Sequence, residues 1–128
     1  MEDLTKRSTE EVLRHHLKHV QSCNLEETLV DYTEQSTLIN FSGPKHGLEE
    51  IRAFFADSMK TCLPPESVWV NETTYVDGEM AYTIWTAESP FYSIPYGTDT
   101  YIIRGGKIIQ QTFAGILNEK PAEGGEAP

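Results

Sequence analysis

Hydrophobic positions along the chain follow two different periods. From Ser8 to about Leu63 they recur mainly at helical spacing, broken by one strand-like run at Gln35–Phe41, and from Ser67 onward they alternate as on strands. Ser8 followed by Glu11 has the form of a capping box, which predicts a helix running to about Ser22. Its apolar stripe is Val12, Leu13, Leu17 and Val20. Asn24 with Glu27 predicts a second cap and a short helix to about Asp31. Gln35–Phe41 reads as a strand, with Thr37 and Ile39 on one face and Leu38 and Asn40 on the other; Ser42-Gly43-Pro44 ends it. A third helix starts at Gly47. Its stripe is Leu48, Ile51, Phe55 and Met59, widened by Phe54, with Glu49, Glu50, Arg52 and Asp57 on the wet side. Leu63-Pro64-Pro65 stops it.

The second regime is built of strands. Ser67–Val76 and Met80–Glu88 are joined by the turn signal Asp77-Gly78. Ala81, Thr83, Trp85 and Ala87 share one face of the second run; Tyr82, Ile84, Thr86 and Glu88 share the other. Ser89-Pro90 and Pro95 break the chain, or mark an edge and a bulge. Gly97–Ala114 then forms a hairpin around Gly105-Gly106, since a tight primed turn needs positive φ. From Asn118 on there is no aliphatic residue beyond alanine. The expected organisation is one domain over residues 8–118, with a flexible acidic tail over 119–128. Helix, helix, strand, helix and then four strands argue an α+β class: a cone-shaped, curved antiparallel sheet packed against three N-terminal helices, with a pocket between the layers.

Two polar residues stand out against this pattern. Asp99 shares its strand face with Tyr101 and Ile103, where a carboxyl group is costly unless paired, protonated or at a wet rim. Either it lies at an edge and meets water, or it is a perturbed group inside a pocket. On the facing strand Ile109, Gln111 and Phe113 share a side. His16 lies on the apolar stripe of the first helix, as a core residue or a functional one. His15 and His19 are one helical turn apart on a neighbouring face. No carboxylate or further histidine is placed in the sequence to complete a metal site, so none is expected.

Composition narrows the function. The net charge of −10, with no Lys/Arg cluster, disfavours nucleic acid and anionic membranes as partners. No apolar run approaches the roughly 18 residues of a membrane span. The N-terminus lacks the apolar stretch of a signal peptide, and Cys23 and Cys62 form no CxxC pair, so a cytoplasmic protein with reduced thiols is expected. No GxGxxG or P-loop occurs, and no cofactor is expected. Two Trp, six Tyr and five Phe suffice to line a cavity.

Taken together, Leu25-Glu-Glu, Tyr32-Thr-Glu-Gln-Ser-Thr-Leu-Ile-Asn, Gly47-Leu-Glu-Glu-Ile-Arg-Ala-Phe-Phe, the Met80–Glu88 strand and Gly105-Gly106-Lys107-Ile108 resemble the nuclear transport factor 2-like superfamily. Within it, the chain is similar to the ketosteroid isomerase and SnoaL-like polyketide cyclase group. The resemblance implies a helix tyrosine and a neutral aspartate as oxyanion donors, and a second aspartate as base. Those positions fall on His16, Asp99 and Asn40 respectively. Asparagine cannot accept a proton at working pH, so the usual carbanion chemistry cannot run unaltered. The last-strand His and Asp of the cyclases fall on Gln111 and Phe113.

The resulting expectation is a pocket for a hydrophobic small molecule, with His16, Asn40 and Asp99 as catalytic candidates and Trp85, Tyr101, Gln111 and Phe113 as ligand-binding ones. Proton transfer beside a carbonyl would make the protein an isomerase, cyclase or lyase. In that chemistry His16 serves as base, with Asp99 as a protonated donor or as an ionised partner of His16. The alternatives are a non-catalytic binder of a ring compound and a dimeric adaptor, because this fold hosts many functions. The resemblance also implies a homodimer through the sheet.

Overall fold

Ser8 caps helix α1 (Thr9–Gln21) as its spacing requires. Its hydroxyl accepts from the Glu11 amide, and the Glu11 carboxylate accepts from the Ser8 amide. Such a cap is worth about 1 kcal/mol. This computed structural model describes residues 3–121; the remainder of the expected tail, 122–128, lies outside the described residues. Asn24 caps α2 (Leu25–Leu29), and α3 spans Gly47–Thr61. The strands are β1 (Thr37–Asn40), β2 (Gly43–His46), β3 (Val68–Asp77), β4 (Met80–Glu88), β5 (Tyr92–Arg104) and β6 (Lys107–Glu119). They form one curved, unclosed sheet in the order β2-β1-β6-β5-β4-β3. The architecture is the expected α+β layering of helices on a curved sheet.

Four details depart from the sequence reading. First, β2 was not expected, because Pro44 reads as the end of a strand. It is tolerated on the outermost strand, opposite Ile39, where its missing N–H interrupts no inner ladder. Second, β1 pairs with β6 in parallel, while every other neighbouring pair is antiparallel. Strand β1 enters from the helical layer through α2 and not through a hairpin, so no tight turn imposes an antiparallel partner. Third, β5 starts at Tyr92 and passes through Pro95, where its register against β6 shifts between Ser93 and Tyr96. Of the readings offered for Pro95, the structure has the bulge, which removes the need for a ladder N–H there. Fourth, Ile109 is an extra residue on β6. Ile103 faces Ile108, and Ile102 faces Gln110. This bulge reverses the alternation, so Ile108 and Gln111 are the buried residues in place of the Ile109-Gln111 pair.

Elsewhere the alternation holds. Ala81, Thr83, Trp85 and Ala87 are all buried, as are Asp99, Tyr101 and Ile103. Gly105 and Gly106 both have positive φ, +59° and +74°, in the β5–β6 turn. Strand β6 continues through Asn118 and Glu119, paired with Ser93 and Tyr92, and the Lys120 amide donates to the Phe91 carbonyl.

The apolar side chains pack as two clusters. One joins α1, α2 and α3 to the sheet through Val12, Leu13, Leu29, Ile51, Phe55 and Ile108. The other gathers Leu63, Trp85, Ala87 and Ile94, with Trp69, Tyr92 and Phe113 against them. A cavity lies between, bounded by Leu38, Phe55 and Tyr101 of the first cluster and Leu63, Trp85 and Ile94 of the second.

Candidate ligand cavity

The cavity has a volume of about 330 Å³, at the small end of the roughly 300–1,000 Å³ typical of small-molecule sites. All seven residues singled out in the sequence border it: His16 from α1, Asn40 from β1, Trp85 from β4, Asp99 and Tyr101 from β5, and Gln111 and Phe113 from β6. Inward alternation on three adjacent strands puts Trp85, Asp99, Tyr101, Gln111 and Phe113 on one concave surface.

Asp99 retains 8% of its surface exposure, and both its oxygens are bonded. The indole Nε1 of Trp85 donates to Oδ2 at 2.7 Å, and Nε2 of Gln111 donates to Oδ1 at 3.0 Å. The Tyr32 hydroxyl donates to Oε1 of Gln111, which fixes that amide's orientation and so presents its N–H to Asp99. Burial pushes the carboxyl up to about 6, against the opposing pull of the Gln111 and Trp85 hydrogen bonds. A group poised there exchanges its proton near neutral pH.

His16 is 3% exposed, ringed edge-on by Tyr101, Tyr32 and Phe55 at centroid distances of 5.4, 5.8 and 6.1 Å. Its Nδ1 has no hydrogen-bond partner. Burial, with a smaller contribution from neighbouring His15, lowers its pKa to about 3, so the ring is neutral at working pH. No hydrogen bond joins Asp99 to His16; the carboxyl group accepts from Trp85 and Gln111 instead.

Asn40 sits at the end of β1. Its Oδ1 accepts from the Ser42 amide at 2.9 Å, the Ser42 hydroxyl at 2.7 Å and Lys45 Nζ at 3.1 Å. Three donors around one atom fix the amide, which leaves Nδ2 as the end that can donate to a ligand.

Some of the wall was not legible in the sequence. Trp69 packs 5.0 Å from Trp85, and Phe113 packs 5.7 Å from it on centroids. The signal for Trp69 was its place on a strand facing the alternating Trp85 face. Asp57, read as part of the wet side of α3, borders the cavity with Ser58 and Thr61, one turn beyond Phe54 and Phe55. Phe41, 76% exposed, also borders the cavity. Tyr32 acts through Gln111; its position just after a short helix gave no hint of that bond.

Comparison with known proteins agrees with the fold. Residues 13–111 match the model of the SnoaL-like domain, and the chain belongs to that family. Among solved structures, a candidate ketosteroid isomerase from Kribbella flavida is similar, with a TM-score of 0.72 and 14% identity over 88% of this chain and 81% of that one. An NTF2-like protein of unknown function from Cytophaga hutchinsonii aligns with a TM-score of 0.70 and 14% identity, over 87% of this chain and 92% of that one. A candidate SnoaL-like polyketide cyclase from Shewanella putrefaciens aligns with a TM-score of 0.68 and 9% identity, over 84% and 79%. At such identities the likeness concerns the fold. No curated protein matches the chain. No helix among the described residues is long and apolar enough to cross a membrane.

Proposed function

We propose that the cavity binds a hydrophobic ring compound bearing a carbonyl group and moves a proton at the adjacent carbon. The observation that carries this reading is a nearly buried carboxyl group, Asp99, facing an aromatic hollow and poised near neutrality. In its ionised form Asp99 takes the proton from carbon and becomes a neutral acid. The electrons move to the carbonyl oxygen, which the Nδ2 amide of Asn40 stabilises by donating to it. Return of the proton to another carbon completes an isomerisation. General acid–base help of this kind contributes on the order of 100- to 10,000-fold. With His16 held neutral and well below its ordinary range, the proton carrier in this reading is Asp99, and His16 is a polar wall residue. The similarity to a candidate ketosteroid isomerase and a candidate polyketide cyclase supports the substrate class.

The test is exchange of the proton beside the carbonyl for deuterium, followed by NMR across a panel of cyclic and polycyclic ketones. Catalysed exchange that is lost in Asp99→Asn supports the reading. Saturable binding of the same ketones without exchange would replace it with the non-catalytic binder. Two further parts of the reading follow from the surface. The middle of the outer sheet face carries Val70, Tyr82, Ile84, Thr86 and Ile116, with Glu88 only at the end of β4, and in a chain of net charge −10 this patch supports pairing of two copies through that face. The free thiols of Cys23 and Cys62 support residence in a reducing compartment such as the cytoplasm.

A further inference from the structure

Away from the cavity, α2 brings a carboxylate to the histidine pair of α1. His15 and His19 lie one turn apart with ring centroids 4.4 Å from each other. Glu27 approaches from α2, its Oε1 3.1 Å from Nε2 of His15. One ligand atom from each of the three residues lies within 4.8 Å of the others. The sequence spacing showed no carboxylate beside this pair, and the fold brings Glu27 there. The physical reason is the packing of α2 on α1, which spacing alone does not reveal. Asn24 caps the Glu27 backbone amide and leaves the Glu27 side chain to turn toward α1.

The hydrogen bonds of His15 have the form of a prepared ligand. Its Nδ1 is 2.8 Å from Oδ2 of Asp31, a fully buried carboxylate whose other oxygen accepts from Arg7 at 2.9 Å. A carboxylate on one ring nitrogen orients a metal-binding imidazole and leaves the other nitrogen as the ligand. With Nδ1–H donating to Asp31, Nε2 of a neutral His15 carries a lone pair, and it faces a carboxylate oxygen that also carries only lone pairs. Two such acceptors 3.1 Å apart call for a cation, either a proton or a metal. Nδ1 of His19 is buried without a hydrogen-bond partner, so the protein does not engage that nitrogen.

We infer that His15, His19 and Glu27 form a binding site for a divalent transition-metal ion of the zinc class, with Asp31 positioning His15. Two imidazoles and one carboxylate suit zinc and its neighbours over magnesium or calcium, which take oxygen ligands. In a tetrahedral site with metal–ligand bonds of about 2 Å, ligand atoms stand about 3.4 Å apart, so small side-chain rotations close the present spacing. His15 and Glu27 keep 24% and 48% side-chain exposure, which admits the ion and a water as fourth ligand. The bound ion clips α2 to α1.

The experiment is calorimetric titration of the full chain with zinc chloride, after the thiols of Cys23 and Cys62 have been alkylated. The expected result is one equivalent bound per chain, with His19→Ala and Glu27→Gln each weakening binding by about tenfold or more. Both side chains are partly exposed, so both variants fold, which circular dichroism verifies. Nitrogen NMR adds a readout for Asp31. Zinc shifts Nε2 of His15 and leaves Nδ1 protonated in the wild type, and Asp31→Asn removes that preference. Absence of stoichiometric binding by the wild type, or equal binding by His19→Ala and Glu27→Gln, overturns the site in favour of a proton shared by His15 and Glu27.

Discussion

The indole of Trp85 and the carboxyl of Asp99 are hydrogen-bonded inside the sheet's concave face, Nε1 to Oδ2 at 2.7 Å. They lie on adjacent antiparallel strands, where Trp85 faces Gly97 and Thr83 faces Asp99. A glycine opposite Trp85 is what lets the ring lie across β5. A Cβ on Gly97 would come within 2.8 Å of Trp85 Cε2, closer than real Cβ contacts come. Thus the bare backbone at Gly97 sets the indole's position, the indole holds Asp99, and Gln111 holds its other oxygen.

This chain of contacts predicts the behaviour of two variants. The Trp85 hydrogen bond favours the ionised carboxylate, so Trp85→Phe removes a pull that lowers the Asp99 pKa. The midpoint rises above its wild-type value of about 6. Gly97→Ala displaces the indole and moves the midpoint in the same direction. Carbon-detected NMR titration of the Asp99 carboxyl measures both, and a midpoint that falls or stays in either variant contradicts the linkage. Trp85→Phe also costs about 1–3 kcal/mol of stability, from a buried acceptor left with one partner fewer and from lost packing.

A second prediction concerns stability and pH. The folded-state pKa of Asp99 is raised from 3.8 to about 6, so between these values the native state holds more of the proton than the unfolded chain does. Stability from this group is fully present below the unfolded pKa and is lost as pH rises through the folded one. A shift of this size corresponds to about 3 kcal/mol. Buried Asp31, also raised by desolvation, adds a slope of the same sign. The Asp99 part is isolated by subtracting the urea-unfolding profile of Asp99→Asn from that of the wild type. The difference declines from pH 4 to 6 and is flat above; a difference rising with pH contradicts the assigned direction.

What could be read from the sequence was whatever depends on near neighbours. The Gly105-Gly106 turn, the Ser8 and Asn24 caps and the inward face of Met80–Glu88 are local, and all are present. The place of Asp99 on an apolar face followed from alternation, but its attachment to Trp85 and Gln111 did not, because that depends on the registers of three strands. The Ile109 bulge and the tolerance of Pro44 depend on a strand's place in the sheet, which no local pattern carries. The approach of Glu27 to His15 was hidden for a related reason: it is set by how two helices pack, not by spacing within either.

Asn40 provides a third prediction. Asn40→Asp installs a carboxylate at the position where the resemblance to ketosteroid isomerases implies a base. Here, however, Oδ1 sits 3.1 Å from Lys45 Nζ and accepts two bonds from Ser42. Those donors favour the ionised form and hold the new carboxyl below the usual range, making it a weak base. In an Asp99→Asn background, which removes the native proton carrier, Asn40→Asp therefore restores little deuterium exchange beside a ketone carbonyl, whereas Asn40→Asp with Lys45→Met restores about tenfold more. Equal rates with and without Lys45→Met would show that Lys45 does not govern the group.

The fourth prediction tests the sheet surface. Ile84 and Thr86 face outward on β4, next to Thr98 on β5 and Val70 on β3, and Ile116 continues the face on β6. The whole chain carries 20 acidic against 10 basic residues, so two copies repel unless a largely apolar patch brings them together. If two copies pair there, burying a glutamate at position 84 places an unpaired charge in each half of a symmetric contact, and a pairing related by a two-fold axis suffers the change twice. Light scattering on the eluting protein should give twice the chain mass for the wild type and a single chain mass for Ile84→Glu. The circular dichroism of the variant should be unchanged, because Ile84 lies outside the core clusters. A wild type that elutes with one chain's mass across the accessible concentration range removes the pairing, and leaves the cavity and the metal site to be judged on their own tests.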